Sequence, residues 1–446
     1  MAAEPHPIAA RPSRTGRVAT AGLAATAVVH LAALGFRLAL AAARPAPRAP
    51  GPPGPPPVPP PRYTVLVALR GEAERVPTLV AALARLDHPR ERLEVLLLLE
   101  HDDGPTRAAA AAARAAHGDP PWLRVEVVPP GGPRTKPNAL NHGLARARGE
   151  LLVVYDAEDL PDPAQLRRAA AAFAARPEVV CLQARPALVA EPRDPLGRLM
   201  AAEYRLWHGR VIPGLVRLGA PVPLAGTSNH LRVGALRRLG GWDAGNLTED
   251  AELGLRLARA GHVTALLDSV TREDSTPPGV RAWVRQRSRW SQGYLQTWWG
   301  MVRTPAVPPP GMTRTGDHHP APGRLRPLQA ACAHGILLGT VALQLTTPVL
   351  WGGGALAAAA PAPALRRVGR RTLAVASAAG AARAVALRLA AGPVGAPLLL
   401  APGYWALEGL AAWRALHALV AHPGRWERTP HPLRPPRGGT LNPAAP

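Results

Sequence analysis

The chain has 446 residues, which is long enough for more than one domain, and its formal net charge is +23. The arginines are scattered and no aromatic-interleaved basic stripe or nucleic-acid motif is present, so we expect no nucleic-acid partner; anionic lipid head groups and phosphorylated substrates stay compatible with the charge. The two cysteines, Cys181 and Cys332, exclude a disulfide framework and a cysteine-based metal site.

The N-terminal part of the chain changes composition twice. Residues 1–17 form a polar tail, residues 18–43 are mostly alanine, valine and leucine, and residues 44–61 are rich in proline. The apolar stretch is long enough to cross a bilayer, and we interpret it as a transmembrane helix with Arg37 reaching the interface. A cleaved signal peptide is the alternative interpretation. The proline-rich stretch predicts an extended spacer.

Residues 62–303 alternate between apolar strand patterns and helix patterns. The predicted strands are 64–69, 93–99, 125–128, 151–155 and 179–183, and the predicted helices are 76–86, 106–116, 163–175, 195–216 and 248–261. This alternation predicts an α/β domain with a mainly parallel sheet, in which ligands bind at the carboxyl ends of the strands.

Two of these strands end in acidic clusters. Asp102 and Asp103 follow the second strand, and the run Asp156-Ala157-Glu158-Asp159 follows the fourth. Both clusters should therefore face one crevice. Solvated turns after the strands are the alternative.

Two further polar clusters come later in the chain. Thr248-Glu249-Asp250 opens a predicted helix, where Thr248 suits an N-cap and the acids suit the first turn. The last cluster is Gln286-Arg287-Ser288-Arg289-Trp290. The guanidinium of Arg289 has a donor fork that fits phosphate, and the indole of Trp290 suits stacking on a sugar ring. An amphipathic helix with Trp290 facing the core is the alternative.

The C-terminal part is again apolar. A proline-rich loop, 304–327, precedes a region of predicted transmembrane helices, 328–421, and a basic proline-rich tail covers 422–446. The stretches that could span a membrane are 328–350, 372–392 and 394–421. A cytoplasmic domain with a cytoplasmic basic tail requires an even number of these spans. Either one stretch is therefore interfacial, or 328–360 contains two short spans.

The order and wording of the four clusters resemble the family 2 glycosyltransferases, above all their membrane-embedded, cellulose-synthase-like branch. The resemblance covers residues 62–300 and is most specific in Thr248-Glu249-Asp250 taken together with Gln-x-x-Arg-Trp. It implies a GT-A nucleotide-sugar-binding domain with a mainly parallel sheet, flanked by transmembrane α-helices.

The resemblance also implies roles for individual residues. Asp250 is the catalytic base. The donor is held by Asp102, Asp103, Lys136, Asp156 and Arg289, with Arg287 as a lesser candidate cation. The acceptor is held by Gln286, Trp290 and Glu249. Asp156 and Glu158 match the Asp-x-Asp motif that positions Mg²⁺ or Mn²⁺ on the diphosphate. Their carboxylate oxygens are hard ligands of the kind that these cations prefer. Glu158 departs from the commoner aspartate, and Asp159 beside it is the alternative ligand.

Three further segments are similar to the same family. Lys136, the only lysine in the chain, begins a Lys-x-x-Ala-Leu-Asn run that the resemblance places near the donor; a helix start with a solvated cation is the alternative. The loop 226–230 matches an acceptor-side segment or serves only as a polar turn. Trp242 is either an acceptor platform or a core residue.

These observations predict a membrane-bound inverting glycosyltransferase that moves a sugar from a nucleoside-diphosphate sugar, expected to be a UDP-sugar, to a saccharide acceptor, including processive polysaccharide synthesis. Transfer to a lipid acceptor is the alternative within this class. A non-catalytic membrane scaffold or transporter is the alternative of another class. A nucleotidyltransferase is disfavoured because the turn after the first strand, 70–74, is acidic and poor in glycine. The expected location is the plasma membrane, with the domain facing the cytoplasm and in contact with membrane lipids.

Overall fold

The computed structural model describes residues 14–43, 58–273, 276–303, 325–392 and 394–421. The strands are β1 Tyr63–Leu69, β2 Leu93–Glu100, β3 Leu123–Val128, β4 Leu151–Tyr155, β5 Asp159–Pro161, β6 Val179–Leu188, β7 Asn229–Arg232 and β8 Val263–Glu273. The helices are α1 Arg14–Ala42, α2 Val76–Leu83, α3 Gly104–Ala116, α4 Lys136–Arg146, α5 Gln165–Ala175, α6 Pro195–Leu206, α7 Ile212–Arg217, α8 Val233–Arg238, α9 Glu249–Arg259, α10 Gly279–Arg303, α11 Pro327–Pro348, α12 Gly354–Ala358, α13 Pro363–Ala391 and α14 Ala401–Ala421. Short 3₁₀ turns cover Arg90–Arg92 and Ala396–Leu400, and π-helical turns cover Trp207–Val211 and Val349–Gly353.

The eight strands form one sheet in the order β3-β2-β1-β4-β7-β6-β8-β5. Strands β3, β2, β1 and β4 run parallel, whereas β7 is antiparallel to both of its neighbours. The sheet is therefore a mixed α/β sheet, and the predicted fold class is confirmed. The parallel half brings the carboxyl ends of β1, β2 and β4 to the same edge, where ligands bind in such sheets.

The sequence pattern missed three strands. β5 has only three residues, and β7 has four, of which the first two belong to the predicted polar turn 226–230. In β8, buried and more exposed positions alternate, so it lacks the continuous apolar run of β1 or β4. The predicted helix 195–216 is interrupted by the π-helical turn Trp207–Val211. Thr248 does occupy the N-cap of α9, but its side chain makes no capping hydrogen bond.

The two faces of the sheet contact different layers. Alternate residues of β1, such as Val65 and Val67, pack under α2, α3 and α5 in a core confined to the α/β domain. Leu66 points to the other face, where the core continues without a break to Ile336 of α11 and Tyr404 of α14. The α/β domain and the C-terminal helices are therefore joined by one continuous apolar core.

Three described helices are long and apolar enough to cross a membrane: Arg14–Ala42, Pro327–Ala358 and Pro363–Ala391. Helix α14 is not among them, although the sequence predicted a span over 394–421. The predicted tails 1–17 and 422–446, the spacer 44–61 and the loop 304–327 lie wholly or largely outside the described residues.

A buried network of charged side chains joins the domain to the long apolar helices. Glu203 of α6 lies 3.4 Å from Arg37 of α1 and 2.7 Å from Arg287 of α10. The hydroxyl of Tyr404 in α14 donates to the same carboxylate at 2.6 Å. Arg37 thus pairs with a residue of the α/β domain, and its position at the bilayer interface stays a prediction.

We expect Glu203→Ala to lower the free energy of unfolding by about 3–5 kcal/mol, because it leaves two buried guanidinium groups without their carboxylate. Thermal unfolding of the detergent-solubilised protein measures this as a lower Tm. Glu178→Ala is the matched control, since Glu178 pairs with Arg176 on the exposed surface and such pairs contribute about 0–1 kcal/mol. An unchanged Tm for Glu203→Ala would contradict the role of this network.

Candidate active site

A cavity of about 320 Å³ opens at the edge of the sheet where the parallel strands end. Its wall includes Leu69 at the end of β1, Glu100 at the end of β2 and Asp156 directly after β4. The acidic run after β4 therefore lies where the parallel topology places ligands.

Lys136 is the first residue of α4 and forms an ion pair with Asp156. Its ammonium also donates to the carbonyl oxygen of Gly226 at 2.6 Å. Burial alone would lower the pKa of Lys136, but Asp156 and Glu249 raise it above its usual value. The single lysine is thus a permanent positive charge in the cavity wall, and not a solvated helix start.

Gly226 is the point at which the separate clusters meet. A Cβ built at this glycine would lie 3.2 Å from Oδ2 of Asp250, 3.6 Å from Nζ of Lys136 and 3.9 Å from Oδ2 of Asp156. Residues 94 positions apart in the chain therefore place carboxylates around one small open space. A side chain at position 226 would fill that space.

The three acids of the run after β4 have different surroundings. Glu158 lines the cavity. Asp159 is fully buried, accepts a hydrogen bond from the backbone N–H of Asp156 at 2.7 Å, and accepts another from the hydroxyl of Thr227. Burial raises the pKa of Asp159 well above its usual range. The structure therefore leaves Glu158, and not Asp159, beside Asp156 in the cavity wall.

The first acidic pair lies elsewhere. Asp103 caps α3 by accepting from the N–H of Thr106 at 3.2 Å, and it also accepts from the N–H of Gly71. Asp102 pairs with Arg134 at 2.8 Å on the surface. Neither carboxylate lines the cavity, whereas Arg134 does. Donor binding by Asp102 and Asp103 therefore stays a prediction.

Helix α10 brings the Gln286–Trp290 segment to the start of α9. A Cβ built at Gly293 of α10 would lie 2.5 Å from the hydroxyl oxygen of Thr248, so only glycine permits this close crossing. One turn further along α10, Gln296 accepts from the N–H of Leu247 at 3.2 Å. These contacts hold the two most specific sequence clusters against each other.

The contact places opposite charges in the same buried volume. Burial first, and then the neighbouring Asp250, raise the pKa of Glu249 to about 7. Burial also raises the pKa of Asp250, while Lys136 and Arg289 lower it in part. Burial lowers the pKa of Arg289, against the effect of Glu249 and Asp250. Asp250 is thus a carboxylate with increased basicity next to two cations, which suits proton acceptance.

The two arginines of the Gln286–Trp290 segment face different partners. Arg289 interacts with the carboxylates of the cavity, whereas Arg287 is bound to Glu203 and Tyr404. Gln286 and Trp290 line the cavity, and the Trp290 ring lies 6.3 Å from the ring of Tyr204. Arg287 is therefore engaged in the buried network, and Arg289 is the guanidinium closer to Asp250.

Several cavity residues were not predicted from sequence. Glu273 ends β8 and lines the cavity; burial, Asp159 and Glu158 raise its pKa well above its usual range. Trp207 and His208 line the cavity from the π-helical turn, a distortion often found at functional sites. The sequence signal that could have identified Trp207 and His208 is the cluster of aromatic and imidazole side chains at 204–208, within the predicted amphipathic helix 195–216.

The remaining predicted segments divide between cavity and core. Gly226 and Thr227 line the cavity, but Ser228, Asn229 and His230 are buried in the sheet. Trp242 is 4 % exposed and belongs to the apolar core, which settles its two interpretations in favour of the core.

The donor set is compatible with a divalent cation. The carboxylates of Asp156 and Glu158 supply hard oxygen ligands, and the glycine at 226 leaves a small space beside them. The ion pair of Asp156 with Lys136 shows that this carboxylate is already arranged to face a positive charge. The assignment of the metal ligands stays a prediction.

Comparisons with known proteins agree with this geometry. The family model described as "Glycosyltransferase like family 2" matches residues 60–293. "Probable glycosyltransferase YdaM" of Bacillus subtilis is 23% identical over 233 residues, which are 52% of this chain and 55% of that protein. "Beta-monoglucosyldiacylglycerol synthase" of Synechocystis sp. is 29% identical over 247 residues, 53% of this chain and 50% of that protein. The chain thus spans about half the length of these curated relatives.

Two further similarities extend the comparison. "Cellulose synthase 2" of Novacetimonas hansenii is 28% identical over 224 residues, 49% of this chain and 13% of that protein. The solved structure of a mannosyltransferase from Pyrobaculum calidifontis in complex with GDP-Man and Mn²⁺ has a TM-score of 0.57. It is 21% identical and covers 91% of this chain and 97% of its own, so this likeness is one of fold.

Proposed function

Because the chain belongs to the glycosyltransferase-like family 2, we propose that it is a membrane-bound, inverting and metal-dependent glycosyltransferase. The donor is a nucleoside-diphosphate sugar. The sequence favours a UDP-sugar, and the similar structure that holds GDP-Man makes a GDP-sugar the second donor to test. The observation that carries the proposal is the convergence of Asp250, Lys136 and Asp156 around Gly226.

In the proposed reaction, Asp250 takes the proton of the acceptor hydroxyl as that oxygen attacks the anomeric carbon. The new bond joins the acceptor oxygen to the sugar, and the bond from the anomeric carbon to the diphosphate breaks with its electron pair on the nucleotide. The increased basicity of the buried Asp250 carboxylate supports this role.

The leaving diphosphate gains negative charge, which cations in a buried site stabilise. Arg289 and Lys136 are the protein cations that interact with the reaction-site carboxylates. Asp156 and Glu158 would hold Mg²⁺ or Mn²⁺, which supplies further charge stabilisation to the diphosphate. Trp290 and Gln286, in the same wall, would orient the acceptor.

The residues on the acceptor side of the cavity support a lipid acceptor, which is the alternative to a saccharide acceptor. The cavity wall includes Arg37 of α1 and Thr340, Val341 and Gln344 of α11, and both of these helices are long and apolar enough to cross a membrane. A saccharide acceptor with processive synthesis is the other candidate, supported by the Gln-x-x-Arg-Trp segment and by the similarity to a cellulose synthase.

We also propose a cytoplasmic catalytic domain at the plasma membrane. Within the described part of the chain, two helices that are long and apolar enough to cross a membrane follow the domain. Two spans return the chain to the side of the domain, which places the basic tail in the cytoplasm, as its arginines prefer.

The test is donor turnover by the purified protein in membranes, with a panel of UDP- and GDP-sugars and with or without Mn²⁺. We expect nucleotide release from one donor and strong dependence on the metal. If none of the donors released its nucleotide under any condition, the result would contradict the proposed activity. Product length, measured with radiolabelled donor, separates single addition from processive synthesis.

A further inference from the structure

The cavity does not end at Trp290 but continues to the apolar helices, where three charged side chains meet. Arg37, Glu203 and Arg287 line this end, together with Thr340 and Gln344 of α11. The carboxylate of Glu203 lies between the two guanidinium groups, at 3.4 Å from Nη2 of Arg37 and 2.7 Å from Nη2 of Arg287. We call these three residues the membrane-end cluster.

The membrane-end cluster carries a net positive charge. Burial would raise the pKa of Glu203, but Arg287 and Arg37 lower it to about 2, so the carboxylate is ionised at neutral pH. A second carboxylate, that of Glu408, interacts with Glu203 but is paired with Arg383 at 2.6 Å, so Arg37 and Arg287 still outnumber the remaining carboxylate of Glu203. Burial lowers the pKa of the adjacent His208 to about 3, so this imidazole is neutral and adds no charge.

The other end of the cavity holds most of its carboxyl groups. They belong to Asp156, Glu158, Glu249, Asp250 and Glu273, and the cations there are Lys136 and Arg289, with Arg70 and Arg134 also in the wall. Tyr294 also lines the cavity. Burial and Asp250 raise the pKa of its hydroxyl, whereas Arg37 and Arg287 oppose that rise, so groups at both ends of the cavity act on this side chain. The membrane end therefore attracts an anionic group by its own charge, whereas the reaction end would hold the donor diphosphate through its cations and the metal.

The membrane-end cluster also has unused donors. Nε of Arg37 and Nε of Arg287 are buried and have no hydrogen-bond partner among the residues that the structure describes. The guanidinium of Arg37 lies 5.1 Å from the centre of the Trp207 ring, and that of Arg287 lies 4.8 Å from the Trp290 ring. The two rings hold the guanidinium groups in place at this end of the cavity, whose wall both arginines line. Buried donors without acceptors are rare, and guanidinium edges fit phosphate oxygens.

We propose that the membrane-end cluster binds the phosphate of an anionic lipid acceptor whose reacting hydroxyl lies beyond that phosphate. The proposal rests on the proposed function and specifies its acceptor. The nucleophile is a hydroxyl and not the phosphate, because a phosphate oxygen is already ionised at neutral pH and would not need the base Asp250. The hydroxyl oxygen bonds to the anomeric carbon, its proton passes to Asp250, and the nucleoside diphosphate leaves with the electron pair. Phospholipids with hydroxylated head groups and lipid-linked sugar phosphates belong to this class, whereas neutral diacylglycerol does not.

The experiment titrates the full-length protein in detergent with phosphatidylglycerol or diacylglycerol of the same acyl chains, and native mass spectrometry measures lipid binding. We expect phosphatidylglycerol to bind roughly 10-fold more tightly, the effect of about one hydrogen-bonded charge contact. Arg37→Gln and Arg287→Gln should each remove this preference. Arg388→Gln is the matched control, because Arg388 is an exposed arginine of α13 outside the cavity wall, and it should keep the preference.

Equal affinity for the two lipids, or an unchanged preference in both cavity variants, would overturn the proposal. Inorganic phosphate that displaces phosphatidylglycerol and binds as tightly would show an anion site without lipid specificity, which also overturns it. If Arg287→Gln does not fold, Arg37→Gln compared with Arg37→Lys decides, since lysine keeps the charge. Nucleotide release from the donor is measured in parallel. Release without a lipid preference would contradict only the proposed lipid site. A lipid preference without nucleotide release would support the lipid site and contradict the proposed function.

Discussion

Replacing Asp250 by asparagine is expected to lower the rate of sugar transfer by about 10²- to 10⁴-fold, the contribution of a positioned general base. Asparagine keeps the size of the side chain and its place at the start of α9, but it cannot take the acceptor proton. Donor binding should stay within about twofold, because the diphosphate is assigned to other residues, Arg289 and Asp156 among them. Steady-state kinetics with calorimetry of donor binding measures both quantities.

Glu252→Gln is the matched control for this variant. Glu252 lies within one turn of Asp250 on α9, outside the cavity wall, and pairs with Arg256 at 2.7 Å. Its loss should leave transfer unchanged. Normal turnover by Asp250→Asn would show that another group takes the proton, with Glu249 the first to test.

Replacing Asp156 by alanine should weaken the Mn²⁺-dependent binding of a nucleoside diphosphate by about 100-fold, the upper range for loss of a group that supports a metal ligand. The variant removes one carboxylate of the predicted metal site and the ion-pair partner of Lys136. Calorimetric titrations with and without Mn²⁺ separate the two effects, because only the first depends on the metal.

Asp87→Ala serves as the control for Asp156→Ala, since Asp87 is an exposed acid that pairs with Arg167. It should keep the full Mn²⁺ enhancement. Glu158→Gln should lose part of it, because Glu158 is the second carboxylate of the cavity wall in this run. Identical titrations for wild type and Asp156→Ala would place the metal elsewhere.

The sequence predicted the parallel half of the sheet, and several of its candidate residues, including Asp156, Glu158 and Asp250, line the cavity. This was possible because β1, β2 and β4 are continuous apolar runs that end in polar clusters. The strand β8 was missed because its polar positions alternate with buried ones, and Glu273 was missed with it.

Long-range pairing explains most of what the sequence did not predict. Arg37 pairs with Glu203, 166 residues away, and a single sequence contains no signal for that contact. Arg287 and Arg289 were hard to rank for a related reason. Residues two apart on a helix face nearly opposite sides, and the sequence alone does not say which side faces Asp250. The contact of Gly293 with Thr248 decides it.

The shared core has a consequence for how the protein is made. α1 leaves the ribosome first, yet it packs against α11 and α13, which are synthesised about 300 residues later. The core that includes Leu66, which packs against α4, extends to Ile336 and Tyr404 only at that late stage. During translation the apolar core on this side of the sheet is therefore completed only after the last helices have been made.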